Sequence, residues 1–155
     1  MRKLIIAPLK YDKLLPTENW LNLDELATVH VTSEQPDHPV ESAFLAGGVG
    51  WRAASKGTQT IRLVFDETQH INRIWLMFEE AENARTQEFV LRWSSDEGQT
   101  FHDIVRQQWN FGPDSARETE NYKAELSKVT VLELIIVPDN RDGEAKASLA
   151  RFCLA

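Results

Sequence analysis

Residues 58–78 read TQTIRLVFDETQHINRIWLMF, and this stretch decides the fold. Ile61, Leu63 and Phe65 alternate with Thr60 and Arg62, the period of a strand that buries one face. A polar connection over 66–70 follows. INRIWLMF then becomes apolar on both faces at its end, as a central strand does. The same period runs through ATVHVTS (27–33), EFVLRWS (88–94), FHDIVRQQW (101–109), NYKAEL (121–126), VTVLELIIV (129–137) and ASLARFCLA (147–155). Turn chemistry such as SDEG and PDNRDG separates these runs. Only PTENWLNLDELA, before residue 27, offers a helical turn, with Thr17 or Asn19 as its cap. About eight antiparallel strands and almost no helix make an all-β sandwich or jelly roll. Residues 1–26 are expected to form an arm packed on it, and 27–155 the sandwich itself. The pattern contains no internal repeat or low-complexity tract.

Antiparallel strands run alternately up and down, so successive connections alternate between the two ends. The connections at 66–70, 95–100 and 126–129 fall at one end and are short. Those at 33–57, 79–85, 109–121 and 138–146 fall at the other. Loops above about 12 residues in a compact domain are usually functional or disordered. The long-loop end is therefore where a binding site is expected.

The 155 residues suit one domain. Seventeen basic against 24 acidic side chains give a net charge of −7. Most of it, −6, falls in residues 79–155. No Lys/Arg cluster of the kind that displaces counterions from nucleic acid is present. The acidity also argues against an anionic membrane surface. No apolar run reaches the ~20 residues of a membrane helix, and MRKLIIAPLKYDKLLP lacks the h-region and cleavage site of a signal peptide. Cys153 is the single cysteine. It has no internal disulfide partner, and it reads as a small core residue of a protein from a reducing compartment, the cytoplasm.

Trp109 and Phe111 stand where a strand enters the polar loop QQWNFGPDSARETEN. Aromatics there can stack on the apolar face of a sugar ring, while Gln107, Gln108 and Asn110 amides read hydroxyls. Against that, Trp109 can be the last inward residue of its strand and Phe111 a loop anchor. Arg85 closes the loop EEAENAR. Its guanidinium can donate to ligand hydroxyls or a carboxylate, or pair with Glu79, Glu80 or Glu82. Enzyme signatures are missing. The four histidines and one cysteine show no metal-ligand spacing, no G-x-S-x-G elbow occurs, and GGVG lacks the lysine and helix of a phosphate loop. The three glutamates at 79, 80 and 82 read as an exposed charged loop. Neither a metal nor a cofactor is expected.

The order HPVESAFLAGGVGWRA, TQTIRLVFD, INRIWLMF, RTQEFVLRWSSDEGQTFHDI, LELIIVPDN and ASLARFCLA resembles the discoidin-type domain. That domain is also called the coagulation-factor C-type or galactose-binding-like jelly roll. The likeness covers about residues 27–155. It is narrowest to short stand-alone bacterial discoidin-like proteins, described chiefly as candidate carbohydrate binders. The resemblance implies a non-enzymatic binding fold whose members take sugars, phospholipid headgroups, collagen or other proteins. It implies that Trp51 plugs the core beneath the glycine loop. It also raises His38 as a ligand residue, because sugar-binding relatives often place a histidine there. The remaining histidines, at 30, 70 and 102, read as surface residues.

One departure is informative. Many sugar-binding members hold calcium between an aspartate-bearing loop and a glutamate on the last strand. Here the loop is FLAGGVGW, with Ala46, Gly47 and Gly48, and Arg151 stands at the glutamate position. Calcium wants six to eight oxygens, several of them charged, so no calcium is expected. The Arg151 guanidinium is expected to tether the loop by donating to its carbonyls. The binding candidates are therefore His38, Arg85, Gln107, Trp109 and Phe111. The expected partner is a carbohydrate, with a protein in the cell as the alternative.

Overall fold

A computed structural model describes residues 1–4, 16 and 18–155. One helical turn, α1 (Leu23–Leu26), precedes eight strands: β1 (Ala27–Val31), β2 (Trp51–Lys56), β3 (Gln59–Glu79), β4 (Arg85–Ser94), β5 (His102–Phe111), β6 (Arg117–Val137), β7 (Lys146–Leu149) and β8 (Arg151–Leu154). A short 3₁₀ turn spans Val40–Ala43. Every strand pairing is antiparallel. Among the described residues no helix is long and apolar enough to cross a membrane.

The quoted stretch forms one strand of 21 residues, not two. It pairs along its length with β6, itself 21 residues long, so the expected breaks at 66–70 and 126–129 lie inside one ribbon. The register is regular up to Val64↔Val131 and again from Arg73↔Lys123, and slips between them. There Lys128 takes a left-handed φ of 59°, and Asp66, Glu67 and Thr68 are exposed. The polar connection is a bend in a continuous ladder.

That bend lets one ribbon serve both layers. The first half of β3 carries β1, and the second half of β6 carries β4, which carries β5. The second half of β3 carries β8 instead. Ile61, Leu63 and Phe65 from one half join Ile74, Leu76 and Phe78 from the other in one core cluster. The rings of Phe78 and Phe89, from opposite layers, stand 5.2 Å apart. The inward positions change from odd to even across the bend because bulges shift the period. This is an eight-stranded antiparallel jelly-roll sandwich.

Two further differences from the sequence reading share one cause. ASLARFCLA divides at Ala150, because β7 pairs with β2 while β8 pairs with β3. The β2 strand, WRAASK, escaped the periodicity reading because its inward residue after Trp51 is only Ala53. Gly50, at φ 83°, lies under the switch: a Cβ there would stand 3.0 Å from Leu149 O and 3.1 Å from Ala150 Cα. Trp51 and Trp75 are buried, at 1% and 2% exposure, each removing up to ~250 Å² from water.

The turn α1 is capped by Asn22, whose side chain makes no capping bond. Thr17, one of the two expected caps, lies outside the described residues, and Asn19 is not the cap. Leu21 N donates to Leu154 O at 2.7 Å, and Leu23 is buried.

Candidate functional site

Arg85 opens β4 beside the 79–85 connection. It is 5% exposed. Its Nε donates to Glu80 Oε1 at 2.8 Å, and its Nη1 to Pro138 O at 2.7 Å and Gln87 Oε1 at 3.2 Å. Nη2 reaches Ser148 Oγ at 3.5 Å, and the guanidinium lies 4.6 Å over the Phe111 ring. The planar fork with five donors explains why an arginine stands here. It ties the 79–85 loop to β4, to the 138–146 connection, to β7 and to β5. The ion-pair alternative holds, with Glu80 as partner, and four of the guanidinium's bonds are made inside the protein while the side chain also lines the hollow above it.

Above this staple the loops enclose a cavity of about 580 Å³. Its wall is the run 79–85. Its opposite side is Asp139, Asp142 and the strip Glu144–Ser148, and Gln35 and Arg52 close it. Three of the four connections assigned to the long-loop end thus meet at one hollow. Six carboxylates and three cations line it, and Ala81, Ala84, Ala145 and Ala147 supply its apolar part. Asp139 Oδ1 accepts from the N–H of Thr86 at 3.3 Å and of Arg141 at 3.1 Å, while Asp142 accepts from Glu144 N at 2.9 Å. These bonds hold the PDNRDG turn open. Glu79 and Glu144 pair outward, with Arg117 at 2.7 Å and Lys56 at 2.8 Å.

Over the ridge Glu79–Ala81 lies a second hollow of about 540 Å³, walled by Trp109 and the run Pro113–Arg117. It adds the fourth connection assigned to the same end. Trp109 is half-buried, packs against the core, and donates from Nε1 to Ser115 O at 3.1 Å. One indole therefore anchors its loop and walls the second hollow.

The other candidates are placed differently. Phe111 is 3% exposed beneath Arg85, so its ring is an anchor and has no open face for stacking. His38 is half-buried and its Nδ1 is bonded to Gly50 O at 3.2 Å. It clips the glycine loop and lines neither hollow. Gln107 sits at mid-strand opposite Phe89 and lines neither. Arg151 does not tether the loop. Its Nε donates to Cys153 Sγ at 3.2 Å, and the loop is held by His38 and by Ser42 Oγ, which accepts from Gly50 N at 3.1 Å. Cys153 is buried, which pushes its thiol pKa up. Leu45 and Val49, exposed apolar side chains on the glycine loop, line neither hollow. No group of three His, Cys, Asp or Glu side chains that could hold a metal ion occurs among the described residues.

Sequence reasoning missed Arg52, Asp139, Asp142, Lys146 and Ser148. The signal was the PDNRDG run itself, which reads as turn chemistry but sits at the long-loop end.

No family model and no curated protein matches this chain. Solved structures do. A module from Clostridium perfringens in complex with GalNAc-β-1,3-galactose is 22% identical at a TM-score of 0.63, covering 87% of this chain and 98% of that one. A pectin-binding carbohydrate-binding module is 15% identical at a TM-score of 0.61, covering 84% and 90%. The family 32 carbohydrate-binding module of C. perfringens NanJ, in complex with galactose, is 14% identical at 0.60, covering 87% and 96%. These likenesses establish the fold as the galactose-binding-like jelly roll.

Proposed function

We propose that this protein is a non-enzymatic carbohydrate-binding module whose site is the long-loop end of the sandwich. The observation that carries the reading is the convergence of three connections on one polar hollow of about 580 Å³. That volume falls in the ~300–1,000 Å³ range of small-ligand sites. Its lining suits a polyhydroxylated ligand. Ionised carboxylates only accept hydrogen bonds, and sugar hydroxyls are donors. Alanines leave room for a ring. The shared fold with modules solved in complex with sugars supports the same reading. Trp109, across the ridge, is the surface on which a second sugar unit would rest. The single cysteine supports the cytoplasm as compartment.

A broad glycan array probed with the labelled protein tests this. Arg52→Ala, Asn83→Ala and Trp109→Ala are run beside it. Arg52 and Asn83 are exposed lining residues, so their variants should melt with the parent. Signal lost at least tenfold in either supports the hollow as the site. Signal lost only in Trp109→Ala moves the site across the ridge. A blank array with folded protein overturns the reading and transfers it to a protein partner.

A further inference from the structure

Behind the cavity wall lies a polar cluster that the binding site does not use. Glu118 stands on β6 opposite Phe78 and is fully buried. Its Oε1 accepts from Gln87 Nε2 at 3.2 Å. Its Oε2 is equally buried and has no donor. Glu120, two residues along the same strand, is half-buried, and its charge acts on both Glu118 and Tyr122. The Tyr122 hydroxyl is also buried without a partner. From β4 the groups facing Glu118 are Gln87 and the charge of Arg85. From β3 the residue opposite is the apolar Phe78. From β5, Phe111 lies beneath Arg85 and is likewise apolar.

A carboxylate is acceptor-only when ionised. Glu118, fully buried with one oxygen unmatched, is therefore satisfied by holding a proton on that oxygen, and the neighbouring Glu120 charge favours the proton. Gln87 then connects this carboxyl to the wall of the cavity. Its Oε1 accepts from Arg85, and its Nε2 donates to Glu118. Arg85 in turn holds Glu80.

We propose that the buried Glu118 carboxyl is a proton-operated latch on the 79–85 wall of the hollow. While Glu118 holds its proton, Arg85 stays on Glu80 and Pro138 O, and the wall is fixed. When Glu118 releases the proton to solvent, the interior gains an anion with one cation in reach. A buried charge needs a partner far more than the partly solvated Glu80 does. Arg85 turns to Glu118, Glu80 is freed, and the wall loosens. This regulation rests on the hollow being the ligand site, but the movement itself does not.

Burial, and then the neighbouring Glu120, push the Glu118 carboxyl up to about 8. The test is an NMR titration of the whole protein from pH 6 to 10. It follows the Glu118 side-chain carboxyl carbon and the Arg85 Nε–H signal. Both should move together with a midpoint near 8 in the parent. Glu118→Gln, which mimics the protonated acid, should hold the Arg85 signal still. Glu120→Gln removes the neighbouring charge and should bring the midpoint down. It serves where Glu118→Gln does not fold. An Arg85 signal that stays flat in the parent, or that moves equally in Glu118→Gln, overturns the latch. So does a Glu118 carboxyl that titrates in the ordinary carboxylate range. These readouts need no sugar, so the latch and the carbohydrate reading fail separately.

Discussion

The Arg85 guanidinium joins four other parts of the chain, and its removal should show what the long-loop end rests on. Arg85→Ala leaves Pro138 O, Gln87 Oε1 and Glu80 without their donor and uncovers the Phe111 ring. Breaking a buried pair from one side costs ~3–5 kcal/mol. For a chain of this size that lowers the melting temperature by roughly 10 °C. Arg85→Lys should recover little of it, because one ammonium cannot reproduce a planar fork. A melt of Arg85→Ala within about 2 °C of the parent would show the staple to be idle. Arg85 stood out in the sequence because it closes a charged loop, and its two readings were equally open. What the structure adds to the ion pair is Pro138 O, Gln87 and Ser148, contacts made at separations of 2 to 63 residues. No spacing rule predicts those. Glu118 was less legible still. It lay in a polar run, ETEN, that reads as loop. Its burial comes from the fold-over of the ribbon and not from its neighbours in sequence.

At the scale of elements, the β3–β6 ribbon makes the sandwich by bending, and the bend should tolerate what the ladder does not. Asp66, Glu67 and Thr68 are exposed and lie where the pairing slips between Val64 and Gln69. Two glycines inserted between Glu67 and Thr68 should cost about 1 kcal/mol or less, since loop closure grows slowly with length. One residue inserted between Leu63 and Val64 should unfold the protein, because a shift of one turns each later side chain to the other face. Urea unfolding midpoints separate the two outcomes. Equal losses would mean that the bend is a rigid part of the ladder. Period two made the strands visible and DETQH visible as an interruption. It did not distinguish an interruption from a bend, because both require only that several residues face water. The long connections were assigned correctly to one end despite this, since a fold-over reverses direction as a hairpin does. The missing strand β2 did no harm to that assignment, because it lies within the first long connection.

For the molecule as a whole, two titrating groups pull stability in opposite directions with pH. Asp96 closes the turn after β4, taking hydrogen bonds from Ser94 and Thr100 that lower its carboxyl to about 2 from 3.8. Its contribution is complete above the ordinary value and is lost as pH falls toward 2. Glu118 has the other sign. Its folded value, about 8, lies above its ordinary 4.5, so between these values the folded chain holds a proton that the unfolded chain has released. The contribution of Glu118 to stability therefore falls as pH rises between these values. Tyr122, pushed upward by burial and then by Glu120, extends the decline into alkaline solution. These shifts together favour the acid side of the usual range for globular proteins. Urea midpoints at pH 3, 5, 7 and 9 would trace this dependence, with Glu118→Gln flattening the fall between 5 and 8. A parent midpoint at pH 8 equal to that at pH 5 would show that Glu118 is ionised at neutrality and that its buried proton is absent.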